Sequence, residues 1–202
     1  MDLNPHRYQR RTTTQIIVAF FLALGFSLVF STAAAGAASA AVHQGDAIYS
    51  DIGVCTVGYV KGNAAYSAAH CASNGANAYD AHGNHVGTWV HEGSPDSHHT
   101  DIARIDLHPG QGGGNPYSGD DIAPTWAASS GTPICKQGVT TGVTCGVITH
   151  REGNAVHTLG AVPSPGDSGG PAWIPGIGYV GEATVYWTHH DGTYTGTYTA
   201  HL

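Results

Sequence analysis

Beyond residue 40 the chain carries no apolar repeat at helical spacing, and this limits it more than any other feature. In place of helical stripes there are runs of strand length, rich in Val, Ile, Thr and Tyr: residues 54–60 (VCTVGYV), 86–91 (VGTWVH), 102–107 (IARIDL), 143–150 (VTCGVITH), 155–162 (AVHTLGAV), 179–188 (YVGEATVYWT) and 193–200 (TYTGTYTA). Turn residues separate them. Asp191-Gly192 sits between the last two runs as a hairpin turn, and Glu152-Gly153-Asn154 sits between two earlier ones. The composition agrees, with 29 glycines and only 10% charged residues. The expected fold class is all-β, sandwich or barrel. A Gly/Pro-rich stretch at 109–119 (PGQGGGNPYSG) divides the chain into a first β half, 41–108, and a second, 120–202.

The first forty residues read differently. Arg7, Arg10 and Arg11 precede the apolar run 16–30 (IIVAFFLALGFSLVF), and small residues follow up to Ala38-Ser39-Ala40. A basic start, an apolar centre and an A-x-A-like end make residues 1–40 an export signal, cleaved near residue 40. The rival is an uncleaved anchor, but fifteen residues fall short of the roughly 20 needed to span a bilayer. Either way the remainder is expected outside the cell, and after cleavage free of the membrane.

Export gives the cysteines a meaning. Cys55, Cys71, Cys135 and Cys145 are even in number, so two disulfides are expected. Three connectivities are open, and the local one, Cys55–Cys71 with Cys135–Cys145, is the expectation adopted. No C-x-x-C spacing is present, so zinc is not expected. Past Ala40, four basic and thirteen acidic residues leave a formal charge of −9 with neutral histidines. Such a surface does not suit nucleic acid or anionic lipid. His82-x-x-His85, His98-His99 and His189-His190 are flanked by loop residues and read as loop histidines rather than metal ligands.

Three motifs carry chemistry. In Gly166-Asp167-Ser168-Gly169-Gly170-Pro171, glycines on both sides of a serine permit a tight turn and close approach of a substrate backbone. The same turn aims the amides of Gly166 and Ser168 at one point, as an oxyanion hole requires. A serine hydroxyl needs a base to take its proton. His70, in Ser67-Ala68-Ala69-His70-Cys71, is the candidate, and a bridge at Cys71 would clamp its loop. The base needs an orienting partner. Asp101, at the start of Thr100-Asp101-Ile102-Ala103-Arg104-Ile105, enters a strand-like run where a carboxylate must be hydrogen-bonded. Asp96 lies in a polar loop, and Asp106 alternates to another face.

These motifs, in the order His, Asp, Ser, resemble those of the chymotrypsin-type serine proteases; subtilisins and α/β-hydrolases run in other orders. The residues Ile134-Cys135-Lys136-Gln137-Gly138, Thr140-Thr141-Gly142 and Cys145-Gly146-Val147-Ile148 further resemble the disulfide-closed hairpin of the bacterial secreted branch, the α-lytic protease and streptogrisin-like enzymes. The resemblance implies two antiparallel six-stranded β-barrels with the site in the cleft between them. It implies a monomeric, secreted endopeptidase acting on polypeptides through His70, Asp101 and Ser168, without a cofactor, with Gly166 and Ser168 as the oxyanion donors. The residue six before the nucleophile would lie at the base of the primary specificity pocket. Here it is Val162, not an acid, so Lys and Arg are not the expected preference there. Residues 184–186, with Thr184 and Tyr186, would form the strand that pairs with substrate. About 160 residues is short for the family, so strands or loops are trimmed. No I-V-G-G-like start is present to supply an N-terminal ammonium for Asp167. A catalytically inactive binding protein on the same fold, or an esterase, is the alternative.

Overall fold

The computed structural model describes residues 40–97, 99–188 and 193–200, with backbone alone at 186–188 and 194. Residues 1–39, and with them the export signal, lie outside the described residues, as do His98, His189, His190 and the Asp191-Gly192 turn. The described chain from residue 40 onward forms one compact unit of thirteen strands. Helical structure among the described residues is confined to short 3-10 turns such as Ala69–Cys71 and Thr125–Ala127, and no described helix is long and apolar enough to cross a membrane.

The first seven strands form one antiparallel sheet. They are β1 (Ala47–Tyr49), β2 (Val54–Thr56), β3 (Tyr59–Lys61), β4 (Ala64–Ser67), β5 (Asn77–Tyr79), β6 (His85–His91) and β7 (Ala103–Leu107). Their spatial order is β2-β1-β5-β6-β7-β4-β3. The two outer strands are β2 and β3, which are consecutive in the chain and separated only by Val57 and Gly58. The sheet is therefore curled until its edges meet at a bend of the backbone. The run 54–60 was expected as a single strand; the bend divides it and makes seven strands where six were expected. Gly58 occupies the bend because a Cβ there would stand 2.4 Å from the Gly169 carbonyl oxygen and 2.5 Å from the Glu182 Cγ. Inside the curl lie Ile48, Val57, Val86, Trp89 and Ile105, all essentially without exposure.

The second half closes fully. The strands β8 (Pro133–Lys136), β9 (Thr144–Glu152), β10 (Ala155–Leu159), β11 (Pro171–Ile174), β12 (Gly178–Thr188) and β13 (Tyr194–Ala200) form a barrel in the order β10-β13-β12-β11-β8-β9. Closure gives every strand of this half two hydrogen-bonded neighbours over at least part of its length. Ile134, Ile148, Val156, Val180 and Tyr198 fill its interior. The two-barrel all-β architecture is thus the one expected, with the first sheet curled by its own bend.

The connecting stretch is anchored. Asn115 accepts from the Val60 N–H at 2.8 Å and donates to the Val60 carbonyl at 2.9 Å and to Asp120 Oδ1 at 2.8 Å. The buried Gln44 side chain donates to the Gly58 carbonyl and the Ser118 hydroxyl, and accepts from the N–H groups of Tyr117 and Ser118. A composition that reads as a flexible linker is therefore hydrogen-bonded to the first half, through the Asn115 and Gln44 side chains and through backbone bonds with Val42 and Gln44.

Candidate active site

His70 and Asp101 are brought together from opposite ends of the first sheet's connections. His70 lies in the 3-10 turn after β4, and Asp101 just before β7, which pairs with β4 in antiparallel register from Ser67↔Ala103 to Ala64↔Asp106. That pairing puts the two loops side by side. Asp101 Oδ2 lies 2.6 Å from His70 Nδ1, and Oδ1 accepts from the His70 N–H at 2.9 Å. The Asp101 side chain is 1% exposed, whereas the His70 ring is 35% exposed. One face of the imidazole is thus tied to a buried carboxylate while the ring still reaches solvent. The Cys55–Cys71 disulfide fastens the next residue to β2. Of the competing acids, Asp106 is held by Arg104 on the outer face, and Asp96 is exposed.

The turn containing Ser168 is set against this pair by the bend between β2 and β3. Thr56 N–H donates to the Ser168 carbonyl at 2.8 Å, and the Thr56 hydroxyl donates to the Gly166 carbonyl at 2.8 Å. Gly169 packs so closely on the segment leading to His70 that a Cβ would stand 1.9 Å from Ser67 Oγ and 2.8 Å from the Ala68 nitrogen. Its φ of 78° and that of Gly166, 96°, are conformations a side chain disfavours. On the other side, Gly169 N–H donates to the Ala183 carbonyl, and Ala183 N–H to the Gly170 carbonyl, tying the turn to β12.

The amides of the turn divide into two classes. Those of Asp167, Gly169 and Gly170 donate to backbone carbonyls. Those of Gly166 and Ser168 have no acceptor among the described residues. Two unengaged donors flanking a half-buried serine are the arrangement that stabilises negative charge on an attacked carbonyl oxygen. The Ser168 hydroxyl itself makes no hydrogen bond among the described residues, to His70 or to any other group. Catalytic hydrogen bonds are often long before substrate arrives.

Beneath the turn is a buried ion pair that the sequence reading did not identify. Asp167 Oδ2 lies 3.0 Å from Lys136 Nζ, and both side chains are without exposure. The carboxylate also accepts from the N–H groups of Ser164, Thr140 and Thr141 and from the Thr141 hydroxyl at 2.5 Å. Burial alone would raise the Asp167 carboxyl; the hydrogen bonds from Thr141, Ser164, Lys136 and Thr140 outweigh it and hold the group below its usual range. Lys136 further donates to the Thr141 hydroxyl and the Gly142 carbonyl. The Cys135–Cys145 disulfide, beside Lys136, closes the β8–β9 hairpin that presents these residues. The available signal was an ammonium in a strand otherwise made of Pro, Ile and Cys, which requires a buried acid.

The cleft beside His70 has a volume of about 270 Å³ and is lined by His70, Pro95, Asp96, Ser97, Asp101, Thr184 and Val185. Thr184 and Val185 are the residues of β12 that line it. In the register, β11 pairs with β12 from Gly178 to Glu182, and beyond Ala183 β13 is the only strand paired with β12 among the described residues. Residues 184–186 thus present an open edge on the cleft side. Tyr186 contributes its backbone there, and its side chain lies outside the described residues. Val162 is half-buried, between Ala161, whose carbonyl accepts from Tyr198 and Thr158, and Pro163. The one group of three metal-ligand residue types among the described residues is Cys55, His70 and Cys71, and both sulfurs are held in the disulfide.

No family model and no curated protein matches this chain. Solved structures do. A chymotrypsin from Cellulomonas bogoriensis superimposes with a TM-score of 0.63 at 24% identity, over 79% of this chain and 91% of that one. Thermobifida fusca protease A gives 0.61 at 21% identity, over 80% and 92%. A Nocardiopsis protease gives 0.60 at 24%, over 80% and 93%. At these identities what is shared is the fold, and that fold is the two-barrel architecture of bacterial chymotrypsin-like serine proteases.

Proposed function

We propose that this chain is a secreted serine endopeptidase in which Ser168 attacks a peptide carbonyl, His70 takes and returns the proton, and Asp101 holds the imidazole. The observation that carries the proposal is the pairing of a buried carboxylate with both the ring Nδ1 and the backbone N–H of His70, beside a serine turn with two unengaged amides. The Asp101–Nδ1 contact leaves Nε2 to receive the Ser168 proton. Attack gives a tetrahedral intermediate whose oxygen is bound by the Gly166 and Ser168 amides. Its collapse expels the amine, which takes the proton from His70, and leaves an acyl-enzyme. Water, deprotonated by His70, then releases the acid and restores Ser168.

The open edge of β12 supports a polypeptide as substrate, because an extended chain adds to such an edge through main-chain hydrogen bonds and needs no particular sequence to do so. The side chain at the cut would then turn toward Val162, which favours apolar or small residues over Lys and Arg. Two disulfides in a chain with an export-like start support secretion, with the enzyme acting as a monomer.

Digestion of a denatured protein, with a small ester hydrolysed in parallel, tests the proposal. Internal cleavages dominated by apolar or small residues at the cut are expected. Hydrolysis of the ester with an intact protein substrate would make the chain an esterase, and hydrolysis of neither would make it a binding protein on a protease fold.

A further inference from the structure

The cleft beside His70 carries a charge that the catalytic proposal leaves unused. Asp96 lines it from the loop opposite the open edge of β12, and its carboxylate has no hydrogen bond or ion pair among the described residues. The other acid in the cleft, Asp101, is buried and matched to His70. No Lys or Arg lines the cleft. The basic side chains past residue 40 are placed elsewhere: Lys136 is buried against Asp167, Arg104 lies between Glu92 and Asp106, Arg151 reaches the Gly153 carbonyl, and Lys61 is on the seam with Tyr59 and Ile122. Among the described residues, a cation entering this cleft meets one solvent-facing carboxylate and no Lys or Arg.

Strand alternation says which substrate residue would meet it. Successive side chains of an extended chain point to opposite faces. With the residue at the cut turned toward Val162, the residue immediately before it turns the other way, toward the wall formed by Pro95, Asp96 and Ser97. We propose that Asp96 is a specificity-determining residue that selects a cationic side chain, Lys or Arg, one position before the cleaved residue. The proposal rests on the endopeptidase reading above. It places the preference for a basic residue beside the cut rather than at it, and adds to the general attraction that a chain of net charge −9 past residue 40 has for cationic polypeptides.

The test uses two peptidyl phosphonates that are identical except for lysine or norleucine at that position, with a simple fluorophosphonate as reference. Second-order rate constants for reaction with Ser168 are measured for the native chain, Asp96→Asn and Asp96→Lys, at low and high salt. The native chain is expected to prefer the lysine probe about two- to fivefold, the range of a solvent-exposed ion pair. The preference should shrink at high salt, vanish in Asp96→Asn and reverse in Asp96→Lys. Equal rates for the two probes in the native chain, or a preference that survives Asp96→Asn, would overturn the assignment while reaction with the reference probe keeps Ser168 as the activated nucleophile of the proposed function. Failure of all three probes would remove both.

Discussion

Replacing Asp101 by asparagine is expected to lower kcat by about four orders of magnitude with the fold intact. Two donors converge on the Asp101 carboxylate, the His70 N–H at 2.9 Å and Nδ1 at 2.6 Å. A carboxylate accepts from both; an amide has one oxygen and one NH2 group. If the oxygen keeps the backbone N–H, the NH2 faces Nδ1 and forces the ring into the tautomer whose proton sits on Nε2. That nitrogen can no longer take the Ser168 proton. The volume is nearly unchanged, one hydrogen bond survives and the other reverses its direction, so folding should tolerate the exchange. Steady-state kinetics on a peptide substrate, with a thermal melt on the same sample, checks both halves of the expectation. A variant within tenfold of the native kcat would show that the His70–Asp101 contact does not set the tautomer.

The second large effect lies below the active turn. Lys136→Met should destabilise the chain by about 3–5 kcal/mol, because it leaves the fully buried Asp167 carboxylate without its cation. In a chain of this size that corresponds to a fall in Tm of about 6–20 °C. The loss should be larger for reactivity than for bulk folding, since Asp167 is the residue before Ser168 and its carboxylate organises Thr140, Thr141 and Ser164 around the turn. The double variant Lys136→Met, Asp167→Asn removes the uncompensated charge and should regain part of the stability. The same pair gives a sign for acid. The Asp167 carboxyl is held below its usual range in the folded chain, so its contribution is complete above the ordinary carboxylate value and is lost as the pH falls through the depressed one. Stability of the native chain should therefore drop in strongly acidic solution, and the double variant should lose that part of the dependence. A single variant as stable as the native chain would contradict the structural role given to Lys136.

Much of this was legible in the residues. The long runs at 86–91, 143–150, 179–188 and 193–200 became β6, β9, β12 and β13 with shifts of up to two residues at their ends, because Val, Ile, Thr and Tyr suit a pleated, half-buried surface. The short strands β1, β4, β5 and β11 were not legible. They are three or four residues long (AIY, AAYS, NAY and PAWI), too short to show a period, and tertiary pairing makes them strands. The bend at Val57-Gly58 was hidden for a related reason: an apolar run looks continuous, and only Gly169 and Glu182, distant in sequence, require the glycine. At the candidate site, His70 and Asp101, which the fold brings together, and the Ser168 turn stood out because each lies in a distinctive local motif. Thr56, which holds the Gly166 and Ser168 carbonyls, acts across the fold and leaves no local pattern, and Lys136 shows only as an ammonium in an apolar strand, without naming Asp167 as its partner.

Reaction of the folded chain with a fluorophosphonate, followed by mass mapping of the modified peptide, tests the central claim most directly. The hydroxyl of Ser168 should be labelled in the native chain at neutral pH, labelling should disappear in Ser168→Ala, and it should weaken sharply in His70→Ala. A folded native chain that takes no label anywhere between pH 5 and 9, or that is labelled at another residue, would contradict the assignment of Ser168 as a nucleophile activated by His70.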